Sequence, residues 1–502
     1  MRLLTGSEIA VIDAGANREY GIPTMLLMEN AGSAVARAAL EMTNGANKAE
    51  IVIFAGGGNN GGDAFVAARH LHNAGANVRL FLLSTPEKLK GDARLNWDIV
   101  KALQIRTQVV KEEHDVRMAK VALLNCNLII DGIFGTGFHG TATGLVSEII
   151  SVINNSDIQV LAVDIPSAVD ATTGQVEGEA VKAKHTVTFG WPKCGLVLPP
   201  GIYHAGELTV CDIGLPKELL ANINSDIEYI DAGFCRHWLP QRSPESHKGN
   251  YGHALIVGGS GNMFGAPVLA VGGALRSGAG LVTAAVPKPA ATALASLYPE
   301  AMNCPQSDAI NRLGGKTIVL GMGLGRTDAA QALVRQILAK LDRTAVVDAD
   351  ALWHFVNLKR NDMAKVPLIL TPHAGEMARL MQISVEDVQK DRLSIAKAAA
   401  KHYDAIVVLK GAGTIVACPD GKLFINSTGN AGMATGGSGD VLAGIIGGLL
   451  AQNLPPAVAA AIAVYVHGLA GDQAAAVLSQ EGMIARDILY YLPKALAELH
   501  YL

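Results

Sequence analysis

The stretch Asn426–Leu450, which reads NSTGNAGMATGGSGDVLAGIIGGLL, places a glycine-rich turn before an apolar helix that we expect to begin near Asp440. Glycines in the turn can adopt positive φ angles and let the backbone approach a ligand closely. They are Gly429, Gly432, Gly436, Gly437 and Gly439. The N-terminus of the helix offers unpaired N–H groups and a partial positive charge, which attract anions. Asp440 can take a proton from a hydroxyl group that attacks a phosphoryl group, or it can simply cap the helix.

The composition indicates a soluble protein with more than one domain. Of the 502 residues, 50% are hydrophobic and 17% charged, which suits large cores and about two or three domains. The net charge of −4 provides no basic field, so we expect neither nucleic acid nor a membrane as a partner. Six cysteines without a CxxC pair favour a cytoplasmic protein without a zinc site. We expect no signal peptide, and the longest apolar run, Val441–Ala451, is too short to span a bilayer.

The first half begins with a predicted strand, glycine-rich turn and helix. In IVIFAGGGNNGGDAFVAARHL, these elements are Ile51–Ala55, Gly56–Gly62 and Ala64–Leu71. Such a unit is typical of phosphate or dinucleotide binding, although it matches neither GxGxxG nor the Walker motif.

Two aspartates end later strands of the first half. Strands are predicted at Val78–Leu83, Leu128–Asp131 and Val160–Asp164. Asp131 and Asp164 therefore stand at C-terminal strand ends, where doubly wound sheets place their ligand sites. The alternative for each is an aspartate that only caps the next turn.

The second half also alternates strands with polar loops. Its strands are predicted in GHALIVGG (252–259), Val282–Val286, Thr317–Gly321, Ala345–Asp348, Leu368–Leu370 and Ile406–Leu409. Five of them end in a loop with Gly, Asp, His or Lys, which a common ligand cleft explains better than core packing does. Lys410 suits a nucleotide phosphate. His373 can donate a hydrogen bond to substrate or cap a turn, and Glu376 can hold Mg²⁺ through water or cap its helix.

The motifs GGGNNGGD, DGIFGTG, VDIPS and TVTFGWPKCG resemble the N-terminal domain of the bifunctional NAD(P)H-hydrate repair enzymes, the YjeF family, over about residues 5–220. The resemblance implies a Rossmann-like α/β/α domain that epimerises the R and S hydrates of NADH and NADPH, NADHX and NADPHX. It implies hydrate contacts from Asn59, Asn60, Gly61, Gly62, Asp63, Gly135, Thr136, Gly137, Phe138, His139, Gly140, Thr141 and Asp164. It also implies a potassium ion held by Asn60, Asp131 and Ser167.

Epimerisation makes and breaks a C–O bond, so it needs an acid–base pair beside the hydrated carbon. Asp164 and Lys193 are the candidates, and the alternative for Lys193 is a solvated loop lysine. Ala64 and Ala168 stand where the family commonly has glycine. A methyl group at either position can crowd a turn that favours positive φ, so we expect an altered rate and retained function.

The motifs SHKGNYG, GGS, GAPVLA, DADAL, TPH-GEM, LKGAGT and TGNAGMATGGSGDVLAGII resemble the C-terminal domain of the same enzymes over about residues 243–495. The resemblance implies a ribokinase-like α/β/α fold that uses Mg²⁺ and ADP to dehydrate the S-hydrate, releasing AMP and phosphate. It implies hydrate contacts from Ala266, Gly323, His373 and Asp440, and nucleotide contacts from Lys410, Gly411, Ala412, Gly413, Thr414 and Gly439. Asp440 would be the catalytic base, and the Gly436–Gly439 amides would stabilise the transferring phosphoryl group.

We place the domain boundary near residue 228, which gives domains 1–228 and 229–502, and we expect a homo-oligomer. Two other functions fit parts of the chain. The second half alone could be a small-molecule kinase, although a sugar or vitamin kinase has no use for the GNNGGD domain. The first half could be a dinucleotide-sensing or protein-binding module without catalysis, because binding requires the same loops.

Overall fold

The computed structural model describes residues 1–46 and 48–501, which form an N-terminal unit, Arg2–Ser225, and a C-terminal unit that begins at Asp226. After the short strand β1 (Arg2–Leu3), the N-terminal unit contains a parallel seven-stranded sheet in the order β4-β3-β2-β5-β6-β7-β8. Its strands are β2 (Glu50–Ala55), β3 (Asn77–Leu82), β4 (Arg106–Val109), β5 (Leu128–Gly132), β6 (Val160–Val163), β7 (His185–Phe189) and β8 (Glu207–Cys211).

Helices cover both faces of this sheet. They are α1 (Gly6–Tyr20), α2 (Thr24–Met42), α3 (Asn59–Asn73), α4 (Gly91–Ala102), α5 (Glu113–Leu123), α6 (Leu145–Asn154) and α7 (Ile202–Ala205). Strand β2 shows the layering, because its side chains alternate between two buried cores. Ile51 and Ile53 pack in the core with α1–α4, whereas Val52 and Phe54 pack in the core with α5 and α6. The three-layer α/β/α architecture expected for this half is confirmed.

The glycine-rich segment after β2 differs from its prediction. The turn comprises only Gly56–Gly58, and α3 already begins at Asn59. Gly61 and Gly62 lie inside the helix, where a Cβ atom would come within 2.1 Å of the Gly56 carbonyl oxygen or 2.5 Å of Met28 Cε. Glycine is required here for close approach of the helix and not for a turn, which a glycine-rich sequence cannot distinguish.

The C-terminal unit contains a second sheet in the order β9-β18-β17-β16-β15-β14-β13-β10-β11-β12. The strands are β9 (Asp226–Ile230), β10 (His253–Val257), β11 (Leu281–Ala285), β12 (Met302–Cys304), β13 (Thr317–Leu320), β14 (Ala345–Val347), β15 (Leu368–Leu370), β16 (Ile406–Leu409), β17 (Ile415–Ala417) and β18 (Lys422–Asn426). All pairs in this order are parallel except those of β17. The loops after β10, β13, β14, β15 and β16 therefore leave the sheet at one edge.

The α-helices that accompany this sheet are α8 (Ala232–Trp238), α9 (Gly265–Arg276), α10 (Lys288–Leu297), α11 (Asp328–Ala339), α12 (Asp350–Phe355), α13 (Ala374–Met381), α14 (Val385–Lys390), α15 (Arg392–Tyr403), α16 (Ser438–Ala451), α17 (Pro456–Leu478) and α18 (Ala485–Tyr501). One core joins the sheet to α9, α16, α17 and α18. Helices α9 and α16 touch through glycine, since a Cβ atom at Gly444 would lie 2.0 Å from the Ala270 carbonyl oxygen. This contact holds α16 against α9. Helix α16 begins at Ser438 and carries Asp440 in its first turn.

Helix α17 is the most apolar long helix of the unit. By length and mean hydropathy, 1.3 over its best window, it could cross a membrane, but 61% of that window is buried within the protein. A helix buried to this extent packs in the core of the unit.

Candidate active sites

A buried ion pair forms the centre of the N-terminal site. Asp164 follows β6 with a positive φ of 65°, an uncommon conformation that aspartate tolerates better than most residues. Lys193 Nζ donates to Asp164 Oδ1 at 2.5 Å, to Thr188 Oγ1 at 3.0 Å and to the Phe189 carbonyl oxygen at 3.1 Å. These three bonds use all three ammonium hydrogens, and the residue is 1% exposed. The solvated-loop alternative for Lys193 is therefore wrong.

Asp63 belongs to the same charged cluster. Burial raises the pKa of its carboxyl group well above the usual value, and the negative charge of Asp164 adds to the shift. Lys193 opposes the shift without cancelling it. The cluster thus holds a carboxyl group that favours its protonated form beside a carboxylate that is hydrogen-bonded to an ammonium group, an arrangement suited to acid–base chemistry.

The two loops predicted to contact the hydrate lie side by side. Asn60 Nδ2 donates to the Phe134 carbonyl oxygen at 2.9 Å, and a Cβ atom at Gly135 would lie 3.1 Å from Asn60 Cβ. Further along the second loop, the Phe138 ring stacks on Phe134 with 4.4 Å between centroids. His139 Nδ1 lies 2.7 Å from Asp170 Oδ2, which ties the tip of the loop to its neighbour.

Asp131 and Ser167 meet directly behind these loops. Asp131 accepts hydrogen bonds from Ser167 Oγ at 2.5 Å, from Ser167 N at 2.7 Å and from Ile133 N at 3.2 Å. Burial raises the pKa of Asp131 to about 6, and in the part of the chain that the structure describes no positively charged side chain contributes to that shift. Oxygen donors around a buried carboxylate without a cationic partner fit a hard monovalent cation, and Asn60 reaches the same segment through Phe134.

The two alanines that replace family glycines occupy different conformations. Ala168 has a positive φ of 72°, where a methyl group is strained, whereas Ala64 lies in α3 and is fully buried. Crowding of a turn at positive φ therefore applies to Ala168 alone.

A second lysine, with a side chain that is 19% exposed, lies at the centre of the C-terminal site. Lys410 Nζ lies 2.8 Å from Asp348 Oδ1 and 3.8 Å from Glu376 Oε2. Thr371 Oγ1 donates to the same Asp348 oxygen at 2.7 Å. A Cβ atom at Gly439 would lie 3.3 Å from Lys410 Nζ, so the ammonium group stands beside the N-terminus of α16. Sequence reasoning did not assign Asp348 to the site, although its position at the end of a strand in DADAL was a usable signal.

The carboxyl group of Asp440 has a pKa close to neutral pH. Burial raises the pKa of its carboxyl group to about 7, and the negative charge of Asp348 adds to the shift while Lys410 opposes it. A carboxylate with that pKa is a much stronger proton acceptor than an exposed aspartate. The cap alternative gains no support, because the residue that precedes α16 is Gly437 and Asp440 lies in the first turn.

The turn before α16 is built for an anion. Gly437 has a φ of 95°, and a Cβ atom there would lie 2.4 Å from Leu269 Cδ1 on α9. Ser438 N donates to the Thr435 carbonyl oxygen at 3.4 Å, while among residues 1–46 and 48–501 the N–H groups of Gly437 and Gly439 have no backbone acceptor. Sequence reasoning missed His467, whose buried Nε2 lies 3.0 Å from the Ser438 carbonyl oxygen; burial lowers its pKa to about 4.

The predicted hydrate contacts of this unit surround the same edge of the sheet. A Cβ atom at Gly323 would lie 3.3 Å from Ala266 Cβ, so these two residues are neighbours. His373 caps α13, with Nδ1 accepting from Gly375 N at 3.0 Å, and its side chain is 60% exposed. The capping alternative is correct for Nδ1, whereas Nε2 lies 3.6 Å from Glu376 Oε2 on a ring that is largely exposed.

The predicted nucleotide loop joins β16 to β17. Gly411 and Gly413 have positive φ angles of 139° and 59°, and Thr414 Oγ1 donates to the Gly411 carbonyl oxygen at 2.8 Å. The loop begins at Lys410, whose ammonium group lies next to the first turn of α16.

Comparison with known proteins gives consistent matches for both halves. The family described as NAD(P)H-hydrate dehydratase matches residues 254–494, and the YjeF-related protein N-terminus matches residues 25–195. The bifunctional NAD(P)H-hydrate repair enzyme Nnr of Moorella thermoacetica is 44% identical, with 99% of this chain and 97% of the relative covered. The same-named enzyme of Thermofilum pendens is 39% identical, with the same two shares covered.

Among solved structures, the ADP/ATP-dependent NAD(P)H-hydrate dehydratase from Bacillus subtilis, co-crystallised with ATP and Mg²⁺, is 34% identical. It matches with a TM-score of 0.51 and covers 55% of this chain and 99% of its own length. That share corresponds to one half of a two-domain chain, while the curated relatives extend over both halves. The chain thus belongs to the family of bifunctional NAD(P)H-hydrate repair enzymes.

Proposed function

We propose that this protein repairs hydrated NADH and NADPH. Its N-terminal domain, residues 1–228, epimerises R- and S-NAD(P)HX, and its C-terminal domain, residues 229–502, dehydrates S-NAD(P)HX with ADP and releases AMP and phosphate. The observation that carries the proposal is the presence in one chain of two separate lysine–carboxylate centres, Lys193 with Asp164 and Lys410 with Asp348. Each centre stands beside the loops that the family resemblance assigns to ligand.

In the dehydratase, Asp440 accepts the proton of the hydrate hydroxyl group as that oxygen attacks the terminal phosphoryl group of ADP. The N–H groups of Gly437 and Gly439 stabilise the charge on the transferring group, and Lys410 binds nucleotide phosphate. The phosphate ester then eliminates phosphate and a ring proton, which restores the double bond of NAD(P)H. Mg²⁺ would be held by oxygen atoms of Asp348 and Glu376, directly or through water, and would neutralise phosphate charge.

In the epimerase, Asp164 and Lys193 act at the hydrated carbon, while the loops Asn59–Asp63 and Gly135–Thr141 hold the hydrate. Asp164 exchanges a proton with the hydroxyl group or the entering water. Lys193 holds the Asp164 carboxylate in place through the hydrogen bond between them. The two domains complement each other, because a dehydratase that accepts only the S-hydrate depends on the epimerase to convert the R-hydrate into it.

Potassium is proposed for the epimerase domain, with Asn60, Asp131 and Ser167 as its ligands. Exchange of potassium for tetramethylammonium, which is too large for the site, should slow epimerisation and lower the unfolding temperature of that domain. Potassium at one hundred times its Kd would stabilise the folded domain by about 2.7 kcal/mol. The measurement is thermal unfolding of the full chain in matched chloride salts.

In Asp131→Asn the response to potassium should disappear, and in Asp98→Asn, an exposed aspartate of α4 paired with Arg94, it should persist. If the unfolding temperature of the wild-type protein is the same in potassium and in tetramethylammonium chloride, potassium is not a ligand of this domain.

The remaining parts of the proposal concern partners and location. We propose a cytoplasmic homo-oligomer that acts on small molecules and not on nucleic acid or membranes. The phosphoryl donor is ADP, and the solved Bacillus subtilis structure, co-crystallised with ATP and Mg²⁺, supports a nucleotide–magnesium complex in this fold.

The proposal is tested by incubating the protein with a mixture of R- and S-NADHX, ADP and Mg²⁺ while the absorbance of NADH is followed. We expect complete conversion of both epimers. Conversion that stops once the S form is exhausted would favour a binding module without catalysis in the first half. Release of a stable phosphate ester instead of NADH would favour the small-molecule kinase.

A further inference from the structure

Helix α1 is attached directly to the segment that carries Lys193. Leu4 N donates to the Pro192 carbonyl oxygen at 3.1 Å, and Cys194 N donates to the Leu4 carbonyl oxygen at 2.9 Å. These two bonds bracket Lys193, and the Thr5 side chain then caps α1. The helix is therefore fixed relative to the Lys193–Asp164 pair by its own first residues.

One face of α1 runs along the loop that is proposed to hold the hydrate. Gly6 and Asp13 are seven residues apart and so lie on the same face, two turns from each other. A Cβ atom at Gly6 would lie 3.0 Å from the Thr136 carbonyl oxygen, and Gly6 N donates to Thr172 Oγ1 at 3.1 Å. Ile12, next to Asp13, is buried in the core and holds this orientation.

Asp13 interacts electrostatically with the charged cluster of Asp63, Asp164 and Lys193. Its side chain is accessible to solvent, yet the density of neighbouring atoms around the carboxyl group raises its pKa to about 6. Lys193 lowers that pKa and Asp164 raises it, and Asp13 in turn raises the pKa of Asp63. Three carboxyl groups, from α1, α3 and the end of β6, thus interact electrostatically with the Lys193 ammonium group, and Asp164 is also in contact with it.

The hydrogen bonds divide these groups into two kinds. Lys193 donates one hydrogen bond each to Asp164, Thr188 and Phe189, so its three ammonium hydrogens are all used. Asp13 forms no hydrogen bond or ion pair in the described ranges, 1–46 and 48–501. A solvent-exposed carboxyl group without a hydrogen-bonded protein partner is free to exchange a proton with a ligand.

We propose that Asp13 is the second catalytic acid–base residue of the epimerase and acts on the hydrate from a different wall of the cleft than Asp164. This inference rests on the proposed function. The hydrated carbon also bears the ring nitrogen. An acid protonates the hydroxyl group, the C–O bond breaks with loss of water, and the nitrogen lone pair forms a C=N bond. Water then adds to the opposite face while a base takes its proton. One water leaves and one is added, so inversion requires proton-exchanging groups on two sides.

The test is Asp13→Asn in the full chain, which preserves the shape of the side chain and removes its proton exchange. We expect kcat for epimerisation to fall by about a hundredfold, the usual scale for a general acid or base, with KM for the R-hydrate changed by less than about threefold. In the wild-type protein a plot of epimerisation rate against pH should contain a step that is absent in the variant. Asp13→Glu should recover part of the rate.

Dehydration of pure S-hydrate by the same molecule serves as the internal control, and Asp98→Asn is the matched aspartate control on α4. A wild-type protein that does not epimerise would refute the proposed function. If the wild-type protein epimerises and the variant has the same kcat, or a changed KM only, the role of Asp13 is overturned while the proposed function stands. A variant whose epimerase domain has melted, as seen by thermal unfolding, is replaced by Asp13→Ser, which also lacks the carboxyl group and in which an unchanged rate and an unchanged pH profile would equally overturn the role of Asp13.

Discussion

Replacement of Asp440 by asparagine should lower the rate of ADP-dependent dehydration by at least about a hundredfold, because the variant removes the general base. The amide has nearly the same shape as the carboxylate but cannot accept the hydroxyl proton as the phosphoryl group transfers. Binding of S-NADHX and ADP should remain within a few-fold of the wild-type protein. Stopped-flow absorbance of NADH, with saturating ADP and Mg²⁺, measures the loss.

The pH dependence of the same reaction provides an independent check. The pKa of Asp440 is raised to about 7, so the base is protonated below that pH and ionised above it. The dehydration rate should therefore rise as the pH increases through neutrality, and this rise should be absent in Asp440→Asn. Asp420→Asn, an exposed aspartate of the same unit, should retain the wild-type profile. Near-normal turnover in Asp440→Asn would show that another group takes the proton.

Much of the fold could be predicted because hydrophobic runs bounded by glycine and polar residues identify buried parallel strands. The prediction for Gly56–Gly62 was wrong in part because glycine has two uses that look the same in a sequence. It permits positive φ angles, as at Gly437, and it also permits close contact inside a helix, as at Gly61 and Gly62. Only the surrounding atoms decide between these uses.

The parts of the sites that could be predicted from sequence are those carried by contiguous motifs. Asp440, Lys410 and the loop after β5 fall within such motifs, and their assigned roles remain predictions that the experiments above test. Asp13 and His467 lie outside the quoted motifs or carry no signal of their own, since the groups that surround them come from distant parts of the chain. Asp348 does lie in a quoted motif, DADAL, but its pairing with Lys410 appears only in the structure. The burial of Lys193 could not be predicted either, because its three hydrogen-bond acceptors are identified only by the structure.

The Lys193–Asp164 pair has the second large predicted effect, on stability as well as activity. In Lys193→Met the Asp164 carboxylate stays buried without its cation, which typically costs about 3–5 kcal/mol. Epimerisation should fall by about a hundredfold or more, because the proton-exchanging carboxylate is no longer held in place. Asp164→Asn should abolish epimerisation but retain binding of the hydrate. Urea unfolding of the full chain, with dehydratase activity as a monitor of the other domain, measures the stability.

The double variant Lys193→Met with Asp164→Asn separates the two effects. With both charges removed, neither is left unpaired, so most of the lost stability should return, as is common when a whole buried pair is replaced. Epimerase activity should stay as low as in the single variants, since the chemistry requires the carboxylate. A double variant as unstable as Lys193→Met would mean that the lysine stabilises the domain by packing and not by charge. Recovery of activity together with stability would mean that the pair supports the fold and that the proton transfer is carried out elsewhere in the cluster.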